Sequence, residues 1–302
     1  MNQYLLGFRI NENDIIIEPN KPDKKRIKIS TYFSRTNELV EWLASQYPNL
    51  DSLNAAQEEL EIVFDQSLGK TPKQREERFS KARGTAKIIN WIGGIVGIWT
   101  WFWTNPYEFA IIASIAVPII AIIALKLSKG LIKIDERNNS AYPTICYGFI
   151  IPSLGLFMRT LLDFNIFNYD KVWISTSAIT IIIMVVLLVS NKEFKIKRVN
   201  DWIAVISLSL ITFAYGFGVI IILNCLYDKS EPELFNPKVL EKRISAGSST
   251  DYYLQLTAWG QQKEEEEVSV SKEFYNQVNK NDVVKLYFKK GLLEIPWFTL
   301  GR

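Results

Sequence analysis

Histidine is absent from all 302 residues, and only two cysteines and three methionines are present. The first absence excludes Ser–His and Cys–His nucleophile pairs, histidine-bearing zinc sites and histidine proton relays together. Cys146 and Cys225 lie far apart in apolar segments without CxxC spacing, so they read as small hydrophobes, not disulfide staples or metal ligands. A net charge of only +3 is too mild to point to nucleic acid. The opening "MNQYLLGFRINEND" has neither a basic leader nor a long apolar core, so no secretory signal is expected. The "GKT" at 69–71 lacks the upstream glycine and strand that a phosphate-binding loop requires. These gaps leave no catalytic residue, no cofactor-binding residue and no metal ligand to name, and the expectation is a protein that is not an enzyme.

What is present is unevenly spread. Charged residues crowd into 1–87 and 228–302, while the middle is almost wholly aliphatic and aromatic. Five apolar segments, 88–103, 107–127, 143–162, 172–190 and 202–226, approach the roughly 20 residues a helix needs to cross hydrocarbon. The last two have no polar face to turn toward water. The fold class predicted from this pattern is an α-helical membrane protein with five transmembrane helices. The stretch "WIGGIVGIWTWFWTNPYEF" at 91–109 packs four tryptophans among three other aromatics, a composition suited to the headgroup layer of a bilayer. An aromatic ligand cage is the other reading of the same rings.

The connecting segments predict orientation. Lysines and arginines number seven in 70–87, four in 126–137 and four in 192–198, whereas 104–106 has none and 163–171 only Lys171. Basic residues stay on the cytoplasmic side. The expected placement is therefore multi-pass in a bacterial inner membrane, with the N-terminus cytoplasmic and the C-terminus outside. The basic segments beside the inner surface are expected to attract anionic lipid.

The ends read as small modules. Residues 1–70 predict a cytoplasmic α+β head, with strands at 4–9, 14–18 and 26–30 and two helices, "TNELVEWLASQY" and "SLNAAQEELEIVFDQSLG". The second helix carries Leu53, Ala56, Leu60, Phe64 and Leu68 along one face. "TPKQ" at 71–74 supplies a helix cap, a first-turn proline and a capping-box glutamine, opening a basic helix over 71–87 that leads into the membrane. A bundle follows at 88–226, then a Pro- and Ser-bearing linker at 227–249. Residues 250–302 alternate as strand, strand, short helix, strand and strand, an outer β-rich domain. Its acidic run Glu264–Glu267 reads as a solvated edge.

Two constellations stand out within the bundle. Gly93 and Gly97, four apart, have the spacing that lets helix backbones approach, as do Gly216 and Gly218 more loosely, while Pro118 and Pro152 are expected to kink their helices. Arg159 and Asp163 are also four apart and form the one strongly charged pair near membrane depth. They read either as a structural pair with a snorkelling arginine or as a ligand or ion site.

The tail "VSVSKEFYNQVNKNDVVKLYFKKGLLEIPW" resembles the C-terminal ends of uncharacterised multi-pass bacterial membrane proteins. The resemblance rests on Tyr275, Asn281-Asp282, the alternating residues Val283 to Leu286, Gly291-Leu292 and Pro296-Trp297. The N-terminal "FRINENDIIIEPNKPDKKRIKISTYFSRTNELVEWLASQYP" is similar to the last strands and closing helix of bacterial pleckstrin-homology-like modules. Neither resemblance implies a catalytic residue. Together these readings predict a non-enzymatic scaffold or interaction protein with a protein partner and the lipid bilayer as its surroundings, without nucleic acid and without a cofactor. The alternative is a component of a transporter or channel using Arg159 and Asp163. A membrane-embedded hydrolase needs a nucleophile with a base, and none is visible.

Overall fold

A computed structural model describes residues 5–11, 13–21, 23–135, 140–190, 199–246 and 250–301. The basic segment 192–198 lies outside these residues. The chain divides into two compact units: Met1–Ile95 with Ala116–Ile150 and Val186–Ala204, and Val96–Ile115 with Ile151–Val185 and Val205–Arg302.

The first unit opens with strands β1 (Leu5–Ile10), β2 (Asp14–Pro19) and β3 (Ile27–Ser30), an antiparallel meander in that order. Helices α1 (Thr36–Gln46) and α2 (Leu50–Phe64) follow. Phe8, Ile15 and Leu43 are fully buried together, with Ile17, Ile29 and Leu39 packed around them. The backbone of β1 runs so close to Pro48 that a side chain at Gly7 would sit 2.5 Å from the Pro48 carbonyl, which explains the glycine. Asn49 caps α2, accepting from Asp51 N at 2.9 Å. The buried Asp51 carboxylate then accepts from Arg9 Nη1 and Ile10 N, each at 2.9 Å, and ties helix to sheet.

Helix α3 (Pro72–Phe102) starts at the capping signal: Gln74 N donates to Thr71 Oγ1 at 3.2 Å and Gln74 Oε1 accepts from Lys70 N at 3.1 Å. Then come α4 (Tyr107–Leu127), α5 (Cys146–Asp163), β4 (Asn165–Ile166), α6 (Asp170–Ser190) and α7 (Val199–Leu226).

The five-crossing bundle predicted from the sequence is not the fold. Among the described residues three helices are long and apolar enough to cross a membrane: α4, α6 and residues Asp201–Leu226 of α7, with mean hydropathy 2.6, 2.6 and 2.3. Helix α3 is basic as far as Lys87, and its apolar half, 88–102, spans only about 22 Å at 1.5 Å per residue. That falls short of the roughly 30 Å of hydrocarbon. Helix α5 is 18 residues long and closes on a charged turn. Counting apolar runs without asking how far each continues uncharged produced the excess. Ile174, Ile181, Ile182, Val185 and Val189 of α6 are all more than half exposed, an apolar face that water would not tolerate.

The rest of the chain is β-rich: β5 (Glu233–Phe235), β6 (Val239–Ala246), β7 (Thr250–Leu256), β8 (Glu266–Val270), α8 (Lys272–Gln277), β9 (Lys285–Lys289) and β10 (Trp297–Gly301). They form two antiparallel sheets, β4-β10-β9-β5 and β6-β7-β8. The stretch read as a linker thus contributes β5 and β6, the latter pairing along its length with β7. Nor is the tail self-contained. Strand β4, which lies between α5 and α6, pairs with β10 through Ile166 opposite Trp297. Ile295 and Trp297 are buried against Val172, Phe217, Ile221 and Cys225 of the helices. A second core gathers Val239, Leu254, Val268, Leu286, Phe288 and Phe298 between the sheets.

Candidate functional site

In the second unit, the predicted pair forms at the last turn of α5. Arg159 donates from Nε to Asp163 Oδ2 at 2.9 Å and from Nη2 to Oδ1 at 2.8 Å, a two-pronged contact that spacing of four along a helix permits. Both side chains are about one-fifth exposed, at 19% and 20%. Tyr107 at the start of α4 adds a hydroxyl that donates to Asp163 Oδ2 at 2.9 Å. The sequence offered no sign of this third member, since it joins from 56 residues away. Charge is balanced inside the cluster, and each carboxylate oxygen has a partner.

Asp163 also lines a cleft of about 660 Å³ whose far wall includes Tyr252, Ser269, Ser271, Lys272 and Thr299. Arg159 does not reach this lining. Ser271 caps α8, its Oγ accepting from Phe274 N at 3.1 Å. Among the described residues no group of three metal-ligating side chains occurs. The cleft offers hydroxyls, the Lys272 ammonium and the carboxylates of Asp163 and Asp251 to a polar ligand.

Several buried hydroxyls of the helices are spent on their own chain, whereas Thr176 Oγ1 of α6 is buried without a hydrogen-bond partner among the described residues. Thr100 Oγ1 lies 2.6 Å from Ser114 Oγ and also donates to Val96 O, while Tyr215 OH donates to Ile115 O at 2.9 Å. No Asp, Glu, Lys or Arg occurs within 109–125, 172–190 or 202–226. The three helices long and apolar enough to cross a membrane therefore carry no charged side chain over these segments.

The glycines serve packing. A side chain at Gly93 would meet Gly148 Cα at 2.6 Å, so α3 and α5 touch backbone to backbone there. Asn90, one turn before, locks the contact: its Nδ2 donates to Thr144 O and its Oδ1 accepts from Gly148 N, both at 2.8 Å. Gly97 meets Ile151 in the same way. Asn90 and Gly148 were not singled out in the sequence, although an amide in an apolar helix is a recognisable signal.

Helix α2 of the first unit turns most of its apolar stripe outward. Glu58 faces inward, accepting from Ser140 Oγ at 2.7 Å and Ala141 N at 2.8 Å, and Glu59 pairs with Arg83 of α3. Of the stripe read along one face, Leu68 is buried, but Leu53, Leu60 and Phe64 are 54%, 58% and 75% exposed. At 100° per residue these three fall within about 40° of one another. Ile62, Leu50 and Asp51 are the residues α2 buries instead.

No protein-family model, curated protein or solved structure matches the chain.

Proposed function

We propose that this chain is a membrane-embedded, non-enzymatic adaptor that offers the Leu53–Leu60–Phe64 stripe of α2 to a protein partner. The inverted amphipathy of α2 carries the reading. With Glu58 turned to Ser140 and Ala141, three large apolar residues held outward are costly unless something covers them. We take the head as cytoplasmic because seven lysines and arginines follow it at 70–87, and the odd number of candidate crossings then puts position 261 on the opposite face.

Affinity capture of the full chain from detergent-solubilised membranes tests the adaptor reading. A defined partner should be retained by the wild type and lost with Leu60→Ser plus Phe64→Ser. Identical retention by both forms contradicts the reading. Orientation is tested by thiol labelling of Lys28→Cys and Gln261→Cys in a background lacking Cys146 and Cys225. Impermeant reagent added outside should mark position 261 alone, and marking of position 28 alone reverses the assignment. A second reading, a transporter or channel component, is favoured by one observation, that Asp163 lines a polar cleft.

A further inference from the structure

We propose that the groove between α3 and α4 in the first unit binds one anionic phospholipid, its phosphate at Arg78, Lys81 and Lys129 and one acyl chain along Ile88, Ile92, Ile120 and Ile123. This goes beyond the adaptor reading and involves no residue of the α2 stripe. Two cavities meet here. One, of about 710 Å³, has walls made chiefly of aliphatic side chains from α3 and α4. The other, of about 600 Å³, is a polar cup that includes Lys70, Gln74, Glu77, Arg78 and Lys81. Arg78 and Lys81 belong to both, so the boundary between water-like and oil-like space is marked by two cations.

The charge at that boundary is in excess. Glu77 is the one carboxylate on the two linings, against Lys70, Arg78, Lys81 and Lys129. Among the described residues Lys81 and Lys129 have no ion-pair partner. Arg78 uses Nη1 to donate to Leu68 O at 2.6 Å, which anchors the guanidinium and leaves its other N–H groups for an anion. Lys129 adopts φ 55, a left-handed conformation that glycine or asparagine takes without strain. Ser128 fixes that turn, donating to Leu125 O at 2.7 Å and accepting from Ile132 N at 3.1 Å. A lysine is thus held at the groove's mouth by a turn that does not favour one.

The dimensions suit a lipid. From Lys81 to Ile92 the helix rises about 16 Å, close to half the hydrocarbon thickness, the depth one acyl chain occupies. Ile88, Ile92, Ile120 and Ile123 are 60%, 44%, 53% and 51% exposed, so the groove opens along its length to the surrounding apolar phase. A free phosphate has no use for such walls, and a neutral lipid has none for the cations.

Native mass spectrometry of the full chain in detergent tests the site, with dioleoyl phosphatidylglycerol, dioleoyl phosphatidylcholine and glycerol 3-phosphate as separate probes. The expected result is one phosphatidylglycerol retained at a concentration at least tenfold below that needed for phosphatidylcholine, with glycerol 3-phosphate not retained. Lys81→Gln with Lys129→Gln should abolish the preference. Ala124→Leu keeps every charge but fills the channel, and should weaken phosphatidylglycerol retention at least fivefold. Equal retention of the two lipids overturns the proposal. So does glycerol 3-phosphate binding as strongly as phosphatidylglycerol with no response to Ala124→Leu, which would mark a plain anion pocket. Should the lysine variant fail to fold, the wild-type lipid preference and Ala124→Leu still decide. The α2 variants that test the adaptor reading should retain the lipid unchanged.

Discussion

The side chain of Asn224, fully buried in α7, holds the backbone of Ile295 from both sides: Nδ2 donates to its carbonyl at 2.8 Å and Oδ1 accepts from its N–H at 3.3 Å. Oδ1 also accepts from Leu293 N at 3.0 Å, and the Asn224 carbonyl takes Leu292 N. One amide therefore splices the turn before β10 onto α7.

Asn224→Leu should lower the thermal midpoint of the detergent-solubilised chain sharply. It leaves the Ile295 carbonyl and two backbone N–H groups buried and unpaired, each costing about 1–3 kcal/mol. Asn224→Asp keeps the acceptor but loses the donor, so its loss should be smaller than that of Leu. A melt unchanged by Asn224→Leu would mean the splice carries no stability.

A pH prediction concerns Asp228, just past α7. Partial burial pushes its carboxyl up, but hydrogen bonds from Ser230 N, Trp297 Nε1 and Gly291 N outweigh that and hold it below the usual aspartate range. A carboxyl depressed in the folded state adds stability above its unfolded value, about 3.9, and that stability is lost as pH falls through the folded value. Wild type should melt higher than Asp228→Asn at neutral pH, with the gap closing on acidification below about pH 4. A gap constant down to pH 2 contradicts this account.

Arg159→Ala and Asp163→Ala should each destabilise the chain by about 1–3 kcal/mol, since each takes the ion-pair partner from a side chain only about one-fifth exposed. The double variant should cost little more than either alone, read as midpoints in one detergent. Variants that fold as wild type yet abolish a cellular phenotype favour the transport reading over the structural one.

The strands of the head, the tail strands from β7 onward, the start of α3 and the ends of α4 and α6 were legible because turn residues, caps and apolar periodicity are local signals, whereas β5 and β6 lay in the stretch read as a linker. Three further features were not legible. The number of crossings depends on how far each apolar run continues without charge, and α3 and α5 stop short. The strand Asn165–Ile166 is two residues long and exists only because β10 lies beside it. The facing of α2 is decided by Glu58 and Glu59 finding Ser140, Ala141 and Arg83, partners remote in sequence, so a stripe that looked like core became surface. Of the candidate site, Arg159 and Asp163 were visible from their spacing, whereas Tyr107 and Asn90 act across helices and leave no such mark.

The central claim, that the α2 stripe is covered by a protein, is tested most directly by photo-cross-linking in intact membranes. Benzoylphenylalanine would replace Phe64, and separately the exposed Glu38 of α1 as a control. The account predicts a discrete, protein-sized adduct from position 64 that is absent from position 38 and lost when Leu60→Ser is added. Adducts to lipid alone, or the same adducts from both positions, would contradict it.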